Sequence, residues 1–120
     1  MAQDKNEKLR SEYTQKIVEK ERQIDDLNSE KRQIQEVFES LETELTRNFR
    51  QLQELNDELI KEGSSSARWE QEELHGKKKH FGQFFKEQKQ ELAEMYTKSV
   101  EELNEERTEI QKERNELTWD

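Results

Sequence analysis

The sequence predicts an all-α fold: a long antiparallel two-helix hairpin, coiled-coil-like, that completes a helical bundle with partner helices. Three observations carry this expectation. Apolar residues recur in threes, fours and sevens along most of the chain, the spacing of a seam on one helix face. The 120 residues include no proline. Gly63-Ser64-Ser65-Ser66, near the middle, is the single run of four residues that resists a helix. A single domain over 1–120 follows, with helix 1 at about 5–62, a hinge at 63–66 and helix 2 at about 67–119.

In the first arm the seam runs through Tyr13, Ile17, Ile24, Leu27, Ile34, Phe38, Leu41 and Leu45. It continues through Phe49, Leu52, Leu55 or Asn56, and Leu59. Lys20 and Lys31 stand at seam positions, where the stem packs and the ammonium reaches water. Leu41, Leu45 and Phe49 are two successive gaps of four, a stutter that locally relaxes a supercoil. Asp4 with Lys8 and Glu12 with Lys16 are favourable pairs four residues apart. Lys61 suits the negative end of the helix dipole, and Gly63 suits the left-handed position just past the helix.

Ser66 is the expected cap of the second arm, with Glu70, Glu72 and Glu73 near the positive end of its dipole. The seam resumes at Leu74, Phe81, Phe85, Leu92, Tyr96, Val100, Leu103, Ile110 and Leu117. The two seams test each other. Facing residues of an antiparallel pair have position numbers of constant sum, and a sum near 130 pairs Phe49 with Phe81, Leu45 with Phe85 and Leu27 with Leu103. Half of that sum falls inside the serine run. Lys20, Arg107 and Arg114 interrupt the seam toward the open end, which is therefore expected to be the wetter and looser half. Gly76 and Gly82 lie inside helix 2 at about 1 kcal/mol each relative to alanine. They mark either simple tolerance or the close approach of another helix.

Charged residues make up 42% of the chain and hydrophobic ones 28%, too few for a rounded core but enough for an extended helical pair. The net charge of −9 argues against nucleic acid and against an anionic membrane as main partner. Cysteine is absent, so neither a disulfide framework nor a thiolate metal site is possible. No run approaches the roughly 20 apolar residues of a membrane span, and the first thirty residues carry no apolar signal core. The expected location is the cytoplasm, with any export by a route that needs no signal peptide.

No catalytic signature is present, and an enzyme, a metal and a cofactor are not expected. His75 and His80 are five apart and point away from each other, unlike the two histidines of a zinc-binding helix. The carboxylates suit a solvated helix face, and a two-helix rod offers no water-poor pocket for acid–base work. Lys77-Lys78-Lys79-His80 reads as a solvated basic run or a contact for an acidic patch.

The apolar residues left beside the seam are more informative. Val18, Val37, Ile60, Phe84 and Met95 widen the stripe past what one partner helix covers. Trp69 stands near the hinge and Trp119 at the other end. These seven residues are the expected partner-binding positions, since exposed aromatic and aliphatic patches mark interfaces. The bland reading is that they pack on the edges of the hairpin's own groove.

An acidic helical hairpin without cysteine resembles the WXG100-like proteins of Gram-positive type VII secretion. It is more closely similar to the α-helical targeting proteins associated with LXG toxins. The likeness rests on the arm from Ile24-Asp25-Asp26-Leu27 to Phe38-Glu39-Ser40-Leu41, the arm from Phe81 to Leu92, and the hinge between. Two WXG100 elements are missing: Trp69 is not in a Trp-x-Gly turn, and Val100 stands four after Tyr96 where the export signal has an acid. The resemblance implies a non-catalytic adaptor or targeting chaperone. Its partners would be the helical N-terminal domain of an LXG-type toxin, a second small helical hairpin, or both. A generic coiled-coil scaffold or homo-oligomer is the alternative. A prefoldin-like holdase is disfavoured, because the hinge is too short for the β-hairpins of that fold.

Overall fold

The computed structural model describes residues 6–117. It is a helical hairpin of two helices, α1 over Glu7–Lys61 and α2 over Ser65–Asn115, with no strand among the described residues. The expected start of helix 1 at 5, the Asp4 pair and Trp119 lie outside the described residues, whereas α2 ends at Asn115, short of the expected limit near 119, in a turn where the Leu117 amide donates to the Arg114 carbonyl.

The turn is short because each end is closed by local chemistry. Gly63 has φ of 93°, a left-handed conformation that costs glycine nothing and other residues about 1 kcal/mol or more. The Ser64 amide donates to the Leu59 carbonyl and the Gly63 amide to the Ile60 carbonyl, both at 3.0 Å. This is a Schellman closure, which satisfies carbonyls left over at the end of α1. The cap of α2 is Ser64, not Ser66: the Ser64 hydroxyl accepts from the Ala67 amide at 3.2 Å. The closure spends only Glu62, Gly63 and Ser64 on the reversal, so the next helix starts earlier than the serine run suggests. Ala67, beside the turn, is almost wholly buried.

Both helices contribute to each of two compact units, one built from residues 33–92 and the other from residues 1–32 with 93–120. In the unit that contains the turn, Phe49 and Phe81 meet with ring centroids 6.0 Å apart. Phe38 packs edge-on against Phe85 at 6.2 Å. Lys89 pairs with Glu42, and Gln71 Nε2 donates to Asp57 Oδ1 at 2.9 Å. In the other unit Lys20 pairs with Glu106 at 2.7 Å, and Arg107 stands 3.9 Å from Glu21. Arg114 reaches the Thr14 hydroxyl at 3.5 Å. Apart from the Phe38–Phe85 contact, these pairs have position numbers that sum within about four of 130, the register expected from the two seams.

The seam expectation needs one refinement at its ambiguous position. Asn56 is buried and Leu55 is half exposed, so the seam of α1 runs through Asn56. Asn56 adjoins Asp57, which accepts from Gln71 Nε2, and a slipped register would separate that pair.

The open half is not the wetter of the two. Ile17 and Tyr96, in the unit formed by 1–32 and 93–120, are buried. Of the eleven large hydrophobic side chains left exposed, eight lie in the unit 33–92. The seam cations do not open the structure around Ile17. Their heads find Glu106, Glu21 and Thr14, and their long stems remain available to cover apolar surface. The exposure instead follows the surplus of leucine and phenylalanine in 33–92, more than one facing helix can cover.

Gly76 and Gly82 have nothing within 4 Å of where a Cβ would stand. Within the hairpin, neither glycine admits a close helix contact. Gly76→Ala and Gly82→Ala should therefore each stabilise the free chain by about 1 kcal/mol through helix propensity. Urea unfolding monitored by circular dichroism checks this. A loss of stability at either position would mean that the space is occupied.

Candidate partner-binding surface

The side chains that a partner would meet are set by helix geometry. Along α1, Val37, Leu41, Leu52, Leu55 and Leu59 are exposed, from 37% for Leu59 to 59% for Val37. Their spacings of three, four and eleven keep them on one face at about 100° per residue. The buried or half-buried seam residues Phe38, Leu45, Phe49 and Asn56 lie on an adjacent face. On α2, Phe81 and Phe84 are exposed at 40% and 47%, beside buried Phe85.

These two sets flank the same side of the hairpin. Residues of a right-handed helix advance clockwise when viewed from its N-terminus. The sense reverses for an antiparallel neighbour seen from the same end. The exposed set precedes the seam on the wheel of α1, and Phe81 and Phe84 precede it on the wheel of α2. Both therefore point to one flank.

The register makes the flank continuous. With position sums near 130, Phe81 and Phe84 stand level with residues near 49 and 46 of α1, between Leu52 and Leu41. That is the gap where the α1 stripe carries Glu44 and Asn48 instead of leucine. The aromatic rings of α2 fill it. The apolar path runs from Leu59 to Val37, about 33 Å at 1.5 Å per residue. It lies wholly within the unit 33–92.

The opposite flank of the same unit is different. A small cavity of about 140 Å³ opens there, lined by Leu45, Phe49, Phe85 and Gly82 with Glu42 and Lys78 at hand. Around it the surface is polar: Thr43, Thr46, Arg47 and Arg50 border a shallow furrow along α1.

Set against family models, curated proteins and solved structures, the chain matches none of them.

The expected partner-binding residues fall out unequally. Val37, Trp69, Phe84 and Met95 are exposed, and Trp69 is 63% accessible. Val37 and Phe84 lie on the continuous path. Trp69 projects from another face of α2, near the turn. Met95 belongs to the other unit, as does Val18, which sits on an outer face of α1 with Ser11, Thr14 and Arg22 around it. Ile60 is partly buried. Trp119 lies outside the described residues. Leu41, Leu52 and Leu59 were expected in the seam and are exposed instead, as is Leu55, the alternative to Asn56; Phe81 meets Phe49 across the seam as expected but keeps 40% of its surface exposed. The signal that separates them is present in the sequence. Phe38, Leu45, Phe49 and Asn56 keep gaps of seven and four, while a second series of gaps runs beside them.

For chemistry, the structure offers little. Among the described residues no group of three or more His, Cys, Asp or Glu side chains is placed to hold a metal ion. Among the described residues no helix is long and apolar enough to cross a membrane. His80 lies against the edge of Phe81 at 6.3 Å, and both histidines are exposed.

Proposed function

We propose that this chain is a non-catalytic helical adaptor whose hairpin is completed by helices of another protein. The observation that carries the reading is the continuous apolar path of the unit 33–92. One hairpin leaves it uncovered, and its spacing fits a further helix. The resemblance supplies the identity of the partner: the helical N-terminal domain of an LXG-type toxin, which the adaptor would keep folded and deliver to a type VII secretion machine.

Co-expression with an LXG-type N-terminal domain encoded beside this chain tests the proposal. The expected result is one complex that survives affinity capture and gel filtration. Failure to form a complex with any co-encoded helical domain overturns the toxin-adaptor reading. A homo-oligomeric scaffold is the other use for such a path, since a face spaced in threes and fours can pair with its own copy. Sedimentation of the purified chain separates the two.

A further inference from the structure

We infer that the apolar path of the unit 33–92 is built for an amphipathic helix of another chain whose apolar seam is flanked by lysine and arginine. This deepens the adaptor reading and rests on it only in requiring a foreign helix, not on the toxin identity.

The argument is the distribution of charge around the path. On the path side, the exposed acids Glu70, Glu73 and Glu91 line the α2 margin, with Lys77 among them. Glu44 stands on the α1 margin. On the opposite side the charges nearly balance. There α2 presents Arg68, Lys78, Lys79, Lys86 and Lys89 with Glu72, and α1 adds Arg50 and Lys61 against Glu36, Glu39, Glu42, Glu54 and Asp57. The unit therefore has an acidic, apolar flank and a polar flank of mixed charge.

This division selects the occupant. A second copy laid path against path would bring two acidic margins together, a like-charge juxtaposition that disfavours the pair. A copy laid path against the opposite flank would meet polar surface, which cannot bury Leu52, Leu55 and Phe84. A helix with leucines in its seam and cations at its edges satisfies both demands. The leucines cover the path while Lys or Arg side chains meet the glutamates at the rim.

The test uses the full chain and a labelled four-heptad helical peptide with leucine in its seam. One form of the peptide carries lysine at the flanking positions and the other carries glutamate. Fluorescence anisotropy should show the lysine form binding at least about tenfold more tightly at low salt. The ratio should shrink in about 0.5 M salt, where the Debye length is a few ångströms. Leu55→Glu should weaken binding by at least about tenfold with helicity retained, whereas Val18→Glu, on the outer face of the other unit, should leave it unchanged. Glu73→Lys with Glu91→Lys changes only exposed positions and should narrow the preference between the two peptides. Equal binding of both forms, or binding indifferent to these rim changes, overturns the inference. So does a self-associated chain that Leu55→Glu converts to monomer. A positive peptide result with no toxin-domain complex would retain the inference and discard the toxin identity.

Discussion

Phe85→Ala should destabilise the unit 33–92 by about 3 kcal/mol, the usual cost of emptying a buried phenylalanine site. Phe85 is 8% exposed, and the edge of its ring contacts are with Phe38 at 6.2 Å and Phe84 at 5.9 Å. Truncation removes the centre of an aromatic cluster and enlarges the small cavity that Phe85 already lines with Leu45 and Phe49. Neighbouring residues cannot close the gap, because Phe49 is engaged with Phe81. Phe84→Ala, one residue away, removes a ring that is 47% exposed and should cost less than about 1 kcal/mol. Its effect should appear in partner binding instead. Urea denaturation of the two variants checks the contrast, and equal losses would mean that the faces of α2 are wrongly assigned.

Ile17→Ala should have the second largest effect, about 2–3 kcal/mol, confined to the unit formed by 1–32 and 93–120. Ile17 is the most completely covered large side chain among the described residues, at 5% exposure. The groups near it in sequence are long and polar: Lys20 reaches Glu106, and Thr14 accepts from Arg114. A surface ion pair and a long hydrogen bond such as these contribute little on their own, so Ile17 carries much of the local stability. Its loss should raise amide exchange around residues 10–25 and 104–115 and leave residues 45–56 and 74–85 protected. Hydrogen exchange with mass spectrometry distinguishes that outcome from uniform deprotection, which would show that the units do not open separately.

The hairpin was legible because two separate periodic patterns agreed on one turn, and because Gly63 supplied the conformation that turn needs. The contacts of Phe49 with Phe81 and of Lys89 with Glu42 follow from that register. The position of the cap was not legible. Ser64, Ser65 and Ser66 are chemically equal candidates, and the Schellman geometry after Ile60 chooses among them.

The division between covered and uncovered apolar residues was only half legible. A single-seam reading assigns Leu41, Leu52 and Leu59 to the interior, because each stands three or four residues from a seam neighbour. Two interleaved apolar series widen the stripe, and one facing helix covers only part of it. Leu55 and Asn56 show the difficulty most clearly. Hydrophobicity favours Leu55 for the seam, yet packing places Asn56 there, because the continuation from Phe49 by seven outweighs the transfer cost of one amide. The open end is drier than expected for a related reason: Lys20, Arg107 and Arg114 interrupt the seam only in their heads, which find partners, while their stems are apolar.

The chain contains no cysteine, so a thiol placed singly reports on one position at a time. The direct measurement is the rate at which Leu55→Cys and Asn56→Cys, each in the purified chain, react with a thiol reagent. Leu55→Cys should react like a free surface thiol and Asn56→Cys at least about tenfold more slowly, because opening of the seam must precede reaction. Equal rates, or a Leu55→Cys thiol already shielded with no other protein present, would contradict an apolar path left open for a foreign helix.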